Sequence, residues 1–367
     1  MSIRDLAPEH VRAIAPYVPG KPISETAREL GIPERDIVKL ASNENPLGPS
    51  PKAIAALAGA MADLALYPDG SGYELRRVIA RKQSVSPENV VLGNGSNDVL
   101  ELVARTFLGR NESAVYSQHG FVVYRLAVQA LGAAHIEVPA RQFGHDLEAI
   151  LAAIRPNTKL VFLANPNNPT GTFLPWAEVE RFVARVPDHT LVVIDEAYGE
   201  YLDPEIASPT SSWISRFPNL VVSRSLSKAY GLAGLRIGYG LANATAVELI
   251  DRVRQPFNVN HLAMVAACAA LDDADFIARS RRENAAGLAQ LQKGFEGLGL
   301  SFISSVANFI TVKVGDAARL YGALLRRGVI VRPISAYGLP EHLRITVGTQ
   351  AQNARFLSAL AEALAER

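Results

Sequence analysis

The most informative segment of the sequence, residues 223–238, combines two hydroxyls, a lysine and an arginine. Ser225 and Ser227 can donate hydrogen bonds to a phosphate, and Arg236 can supply a fixed positive charge. Lys228 can form a Schiff base with an aldehyde once its amine loses a proton. This segment therefore has the groups needed to hold both ends of a phosphorylated aldehyde, although alone it would more often be a basic surface turn.

Polar side chains also follow two apolar runs. The run at residues 190–195 ends in Asp195, and open parallel sheets place their ligands at such carboxyl ends. A carboxylate there can pair with a protonated pyridine nitrogen, and Tyr198 can donate its phenol proton to a ring oxygen. The turn at residues 165–171 can present the amide of Asn168 to the same oxygen. In isolation, the aspartate would more often cap a helix and the asparagine would only shape a turn.

A glycine-rich segment at residues 93–98 precedes a helical pattern. The backbone amides of Gly95, Ser96 and Asn97 can bind a phosphate at the N-terminus of that helix. The segment begins like the G-x-G-x-x-G motif of dinucleotide-binding proteins, but Asp98 replaces the third glycine and would repel a pyrophosphate. We therefore expect a phosphate site and no nicotinamide cofactor.

Composition restricts the class of protein further. The chain has 367 residues, 49% of them hydrophobic, which is enough for two domains. Its net charge of +1 predicts no binding to nucleic acid or to a membrane surface. A single cysteine, a charged N-terminus and the lack of an apolar run of ~20 residues favour a cytoplasmic protein. No pair of histidines has the spacing of a metal site, so we expect no metal.

The candidate residues need a sheet to position them. Apolar runs alternate with helical patterns, and these runs lie at residues 90–92, 114–116, 159–164, 190–195 and 220–223. The alternation predicts an α/β fold with a mostly parallel sheet covered by helices on both faces. We expect an N-terminal arm (residues 1–50), a large domain (51–260) and a smaller α+β domain (261–367) that the arm completes. The smaller domain is expected to begin with one long helical stretch.

Taken together and in this order, the segments resemble the fold-type-I pyridoxal-phosphate enzymes, and most closely the histidinol-phosphate aminotransferases. The resemblance covers nearly the whole chain and rests on residues 39–48, 67–70, 93–97, 167–171, 194–198, 225–228, 236 and 343–348. It implies an aminotransferase of histidine biosynthesis that carries pyridoxal 5′-phosphate. It also implies a homodimer in which Tyr67 reaches the cofactor phosphate of the neighbouring subunit.

The resemblance also implies roles for the residues already named. Lys228 would form the Schiff base and carry a proton, Asp195 would pair with the pyridine nitrogen, and Asn168 and Tyr198 would bind the ring oxygen. Phe121 would stack over the ring, because stacking needs only an aromatic face. The phosphate would be surrounded by Gly95, Ser96, Ser225, Ser227 and Arg236.

Two arginines indicate the substrate. By the resemblance, Arg344 grips the substrate's carboxylate, and Arg332 matches a second arginine typical of the histidinol-phosphate branch. Two guanidinium groups suit a phosphate dianion better than one carboxylate, because each makes a two-pronged, charge-assisted contact. Tyr17 and Asn45 are further candidates for the substrate pocket. We therefore expect histidinol phosphate and 2-oxoglutarate to be interconverted with imidazole-acetol phosphate and glutamate.

Three alternatives stay open at this point. An aromatic amino-acid aminotransferase would need a similar pocket, because a benzene ring and an imidazole are alike in shape. A pyridoxal-phosphate-dependent decarboxylase, such as one acting on threonine phosphate, would share the framework and the phosphate-binding groups. A pyridoxal-binding sensor without catalysis would need a DNA-binding extension, and the sequence shows neither that nor a basic patch.

Overall fold

A seven-stranded sheet forms the centre of the computed structural model, which describes residues 2–17 and 19–366. The strands are β1 (Val38–Lys39), β2 (Val90–Gly93), β3 (Ser113–Ser117), β4 (Ala134–Val138), β5 (Thr158–Ala164), β6 (Leu191–Asp195), β7 (Leu220–Ser225), β8 (Gly238–Ala242), β9 (Phe302–Ile303), β10 (Phe309–Lys313), β11 (Val329–Ile330), β12 (Arg332–Pro333) and β13 (His342–Thr346). The large sheet has the order β2-β8-β7-β6-β5-β3-β4. Its neighbours are parallel except around β8, which is antiparallel to both β2 and β7.

Helices cover this sheet and the smaller one described below. They are α1 (Ile3–Leu6), α2 (Glu9–Arg12), α3 (Ile23–Leu30), α4 (Pro51–Ala60), α5 (Tyr73–Gln83), α6 (Ser96–Phe107), α7 (Val122–Ala130), α8 (Leu147–Ala153), α9 (Trp176–Val183), α10 (Thr210–Trp213), α11 (Ala244–Val253), α12 (His261–Leu271), α13 (Ala274–Gly297), α14 (Ala317–Arg326) and α15 (Gln350–Ala365). Several begin at a polar cap. Asp146, Asn243 and Asp316 each accept a backbone amide in the first turn of α8, α11 and α14.

Side chains of the central strands are buried on both faces of the large sheet. In β6, Val192 and Ile194 belong to one apolar cluster, whereas Leu191 and Val193 belong to the other. This alternation follows from the two-residue period of a strand, and it explains why the run is apolar throughout. The predicted mostly parallel sheet between layers of helices is confirmed.

Two strands of the large sheet and one helix break were not predicted. β4 lies at an edge and carries polar residues, while β8 is rich in glycine, so neither has the apolar run that marks a strand. The helical stretch after residue 260 is two helices, because the chain turns between α12 and α13. Asp273 caps the second helix by accepting the amide of Phe276.

A smaller antiparallel sheet has the order β12-β13-β10-β9. Leu291, Phe356 and Leu360, from α13 and α15, pack in its core together with Ile310 and Ile345. The N-terminal arm joins this part of the molecule, because β1 pairs in parallel with β11. The small sheet therefore brings β12 and β13 to the site together with residues of the arm.

Two kinds of feature are absent from the described residues. No helix there has the length and apolar character that crossing a membrane requires. Nor does that part of the chain contain a group of three or more His, Cys, Asp or Glu side chains arranged to hold a metal ion.

Candidate active site

The candidate site is a cavity of about 270 Å³ at the carboxyl edge of the large sheet. β5, β6 and β7 end there at Ala164, Asp195 and Ser225, and residues of β12 and β13 of the small sheet also line the cavity. The predicted residues that line it are Tyr17, Ser96, Asn97, Phe121, Asn168, Asp195, Tyr198, Ser225, Ser227, Lys228, Arg236, Arg332 and Arg344. Residues from distant parts of the sequence thus meet because parallel strands end at one edge.

One end of the cavity combines two hydroxyls, a guanidinium and a helix N-terminus. Ser225 Oγ accepts a hydrogen bond from the backbone amide of Ser227 at 3.1 Å, and Ser227 Oγ accepts one from Nη1 of Arg236 at 3.2 Å. Each hydroxyl therefore keeps its own proton for a further acceptor. Gly95 precedes α6 at φ 87°, and a Cβ there would lie 2.4 Å from Nη2 of Arg236. The missing side chain makes room for the arginine beside the helix N-terminus, so this end fits a phosphate.

Lys228 lines the same cavity. Its Nζ donates to the carbonyl of Ser42 at 3.0 Å and lies 5.9 Å from the centre of the Tyr198 ring. Burial of the amine, aided by the positive charge of Arg344, lowers the pKa of Lys228 to about 8. A lysine with such a pKa is partly deprotonated near neutral pH, which an amine needs in order to attack a carbonyl.

Asp195 lines the cavity and is buried. Burial raises the pKa of its carboxyl to about 6, and two donors oppose this effect. The hydroxyl of Tyr124 donates to Oδ2 at 2.9 Å, and the amide of Ala197 donates to Oδ1 at 3.2 Å. A buried carboxylate with these partners can stabilise a cationic ring nitrogen.

Tyr198 and Asn168 both present polar atoms whose orientation is fixed by neighbours. The hydroxyl of Tyr198 accepts a hydrogen bond from Nδ2 of Asn43 at 2.8 Å. Oδ1 of Asn168 accepts Nη1 of Arg344 at 2.6 Å, so the amide protons of Asn168 are left for another acceptor. Both side chains can therefore donate to one oxygen in the cavity.

Two arginines of the small sheet stand side by side. Arg332 in β12 is the direct cross-strand partner of Arg344 in β13, and both line the cavity. Arg344 is buried, its Nη2 donates to the carbonyl of Ala41 at 2.9 Å, and no described residue accepts a hydrogen bond from its Nε. The guanidinium of Arg332 lies 5.2 Å from the ring centre of Tyr17. Like charges placed opposite each other are unfavourable, so this arrangement suits an anion.

Three of the predicted residues lie outside the cavity lining. Gly95 acts through its backbone and its missing side chain, as described above. Asn45, contrary to expectation, does not face the cavity, because its amide donates to the carbonyl of Ala229 at 2.8 Å and to the hydroxyl of Ser280 at 2.9 Å. Tyr67 is 84% exposed and stacks on Phe257 with ring centres 4.9 Å apart.

Sequence reasoning missed several residues that support the site. Tyr124 bonds to Asp195, Asn43 bonds to Tyr198, and Glu44 and Tyr337 line the cavity. Asn43 lies within residues 39–48 and Tyr124 lies near Phe121, but the partners of both are far away in the chain. Glu44 pairs with Lys39, and the sequence does not show that it faces the cavity. For Tyr337, we see no signal in the sequence.

Known aminotransferases resemble this chain over nearly its whole length. The family model of class I and II aminotransferases matches residues 35–360. Histidinol-phosphate aminotransferase 1 of Thiobacillus denitrificans is 60% identical over 98% of this chain and 94% of its own length. The corresponding enzyme of Methylobacillus flagellatus is 55% identical over 99% and 98%. The crystal structure of histidinol-phosphate aminotransferase from Sinorhizobium meliloti in complex with pyridoxal-5′-phosphate is 30% identical, with a TM-score of 0.89 over 97% of this chain and 96% of that one.

Proposed function

The chain belongs to the class I and II aminotransferases, and on that basis we propose that it interconverts histidinol phosphate and 2-oxoglutarate with imidazole-acetol phosphate and glutamate. Its cofactor is pyridoxal 5′-phosphate, and its place is in histidine biosynthesis. The relatives named for this reaction match the chain over almost its whole length.

One observation carries the proposal: a single cavity holds a lysine and two separate groups of anion-binding side chains. The first group, with Ser225, Ser227 and Arg236, suits the phosphate of the cofactor. The second group, Arg332 and Arg344, suits an anion of the substrate. Histidinol phosphate offers a phosphate to this second group, and glutamate and 2-oxoglutarate offer carboxylates.

Other residues of the cavity fit the rest of the cofactor. Lys228 would hold the aldehyde carbon, Asp195 would face the ring nitrogen, and Tyr198 and Asn168 would donate to the ring oxygen. Phe121 would lie against the ring face. When bound, pyridoxal phosphate supplies an electron sink for the bond that breaks at the substrate carbon. The amine of Lys228, with its pKa lowered to about 8, can accept a proton from that carbon and return it.

We also propose that the protein works as a homodimer in the cytoplasm. Exposed apolar side chains cluster between residues 54 and 73, including Met61, Leu66 and Tyr67, and Tyr67 rests on the half-exposed Phe257. Such a surface favours a second copy of the chain as partner. Tyr67 does not line the cavity of its own chain, which is consistent with its serving the neighbouring one.

The division into arm, large domain and small domain is likewise a proposal. The separate apolar cores around the two sheets support it. α12 packs against α4 and α5, within the core of the large sheet, so we propose a boundary near Asp272 in place of the residue 260 expected from the sequence. The site would then lie between two domains.

A single half-reaction tests the proposed function. The protein loaded with pyridoxal phosphate is mixed with histidinol phosphate or with phenylalanine, without oxo acid, and the absorption of the cofactor is followed. We expect rapid conversion to the pyridoxamine form with histidinol phosphate and much slower conversion with phenylalanine. The Lys228→Ala variant should convert neither substrate, whereas Lys52→Ala, at an exposed lysine, should behave as the parent protein.

The other outcomes identify the alternatives. Faster conversion with phenylalanine would assign the protein to aromatic amino-acid transamination. Release of carbon dioxide from threonine phosphate would indicate a decarboxylase. Binding of the cofactor without conversion of any amine would contradict an enzymatic role.

A further inference from the structure

Asn43 has an unusual backbone for a buried residue that is not glycine. Its φ is 56°, in the left-handed region, and only 1% of its surface is exposed. Both backbone polar groups are held by the small-domain side of the site. The amide donates to Thr346 Oγ1 at 2.9 Å, and the carbonyl accepts Nδ2 of Asn308 at 2.9 Å. A strained conformation retained by such contacts indicates a functional constraint.

The hydrogen bonds around Asn43 determine the orientation of its side-chain amide and which groups donate to it or accept from it. Thr346 Oγ1 accepts the backbone amide of Asn43, so its single proton is available for Oδ1 of Asn43, 3.2 Å away. The other amide atom, Nδ2, therefore faces Tyr198, 2.8 Å from the hydroxyl. An amide nitrogen only donates, so the hydroxyl of Tyr198 accepts from Asn43 and its own proton must point elsewhere.

We propose that Asn43 is a positioning residue that makes Tyr198 a hydrogen-bond donor to the ring oxygen of the cofactor. The inference rests on the proposed function, because it needs an acceptor in the cavity that Tyr198 lines. A hydroxyl that accepts one hydrogen bond becomes a stronger donor in the next, since bonds in a chain polarise one another. Asn43 thus orients the proton of Tyr198 and strengthens its donation.

The same contacts connect this donor to the substrate site. Thr346 and Arg344 are two residues apart in β13 and so lie on the same face of that strand. Thr346 orients the amide of Asn43, while Arg344 holds Asn168, the second donor to the ring oxygen. Residues of β13 therefore orient both groups that donate to the ring oxygen, Asn168 directly and Tyr198 through Asn43.

The charge environment of Tyr198 supports this role. Burial raises the pKa of Tyr198 to about 12, and the nearby Arg344 and the hydrogen bond from Asn43 act in the opposite direction. Loss of the amide would leave Tyr198 a weaker donor. More electron density would then remain on the ring oxygen of the bound cofactor.

The test is a pH titration of the visible absorption of the cofactor bound to the intact protein. Asn43→Gly removes the amide and suits φ 56°. We expect it to raise the pKa of the bound chromophore by roughly half to one unit, the equivalent of one hydrogen bond. Asn43→Asp keeps the shape of the side chain, but its carboxylate accepts a hydrogen bond from the hydroxyl of Tyr198. Tyr198 then no longer donates to the ring oxygen, so this variant should raise the pKa of the chromophore at least as far as Asn43→Gly.

Two controls separate this role from a structural one. Ser84→Gly changes another left-handed residue, φ 55°, at an exposed helix end, and should leave the titration unchanged. In a Tyr198→Phe background, Asn43→Gly should cause no further shift, because the group through which it acts is gone.

The outcomes distinguish the inference from the proposed function. An Asn43→Asp variant that titrates like the parent protein would overturn the inference, since it would show that only the shape of the side chain matters. The inference would also be overturned if Asn43→Gly shifted the pKa of the chromophore equally in the parent protein and in the Tyr198→Phe background. A parent protein that binds pyridoxal phosphate without forming any visible chromophore would overturn the proposed function, and the inference with it.

Discussion

Beneath the cavity, the hydroxyl of Tyr124 stabilises the charged form of Asp195. Burial alone favours the protonated carboxyl, and the donation from Tyr124 at 2.9 Å counteracts it. The ring of Tyr124 is itself fixed, since it stacks on Phe162 with ring centres 4.8 Å apart. The aspartate therefore depends on a residue that does not line the cavity.

Replacing Tyr124 by phenylalanine tests this dependence. Loss of a hydrogen bond to a charged group should raise the pKa of Asp195 by about one unit. Because a protonated Asp195 pairs less well with a cationic ring nitrogen, affinity for pyridoxal phosphate should fall more steeply from pH 8 to pH 6 in the variant than in the parent. Equilibrium titrations at several pH values measure this. Tyr116→Phe, which loses a bond to His135 in the same core, is the matched control, and an unchanged pH profile for Tyr124→Phe would contradict the role.

Among the secondary-structure elements, the contact between β8 and the start of α6 shapes the phosphate end. Gly238, the first residue of β8, packs so closely that a Cβ there would lie 2.4 Å from the amide nitrogen of Ser96. It would also lie 2.7 Å from the carbonyl carbon of Gly95. These are backbone atoms, so they cannot move aside by rotation of a side chain. The glycine sets how near the helix N-terminus comes to Arg236.

A Gly238→Ala substitution should therefore displace the N-terminus of α6. We expect affinity for pyridoxal phosphate to fall roughly 10-fold or more, as one charge-assisted contact is lost. Fluorescence titration of the cofactor-free protein measures the affinity. Gly234→Ala is the matched control in the same segment, since a Cβ there meets nothing within 4 Å. Equal affinities in the two variants would show that the close approach is unimportant.

At the scale of elements, the sequence predicts most strands of the large sheet but few of the residues that hold the site residues in place. The central strands were predictable because burial on both faces makes them apolar throughout. β4 and β8 were not, since an edge strand tolerates polar residues and glycine removes the pattern. Asn43 and Tyr124 could not be assigned because their partners are 155 and 71 residues away in the chain. Only the fold brings such pairs together.

For the whole molecule, one feature is a group of exposed apolar side chains between residues 54 and 73. Met61, Leu66 and Tyr67 are 54%, 68% and 84% exposed. Scattered exposed apolar residues are ordinary, but a cluster of this kind favours burial against a partner. We have proposed that this partner is a second copy.

Charges placed in this surface should separate the proposed dimer. We expect the Met61→Asp/Leu66→Asp variant to sediment as a monomer in analytical ultracentrifugation and to lose most of its activity, because Tyr67 would no longer reach a neighbouring site. Ile206→Asp, at a half-exposed apolar residue elsewhere, should remain dimeric. A parent protein that sediments as a monomer, or a fully active monomeric variant, would contradict the proposal.

The burial of Asp195 and Lys228 also makes folding of the cofactor-free chain depend on pH. Between the ordinary pKa of an aspartate, 3.8, and the value of about 6 for Asp195, the folded state binds more protons, so the free energy of unfolding falls as pH rises. Between about 8 for Lys228 and the ordinary 10.5, the unfolded state binds more protons, and the free energy of unfolding rises with pH. These two groups therefore oppose folding most strongly around neutral pH. A ligand that bonds the amine and pairs with the carboxylate stabilises the protein most in that range.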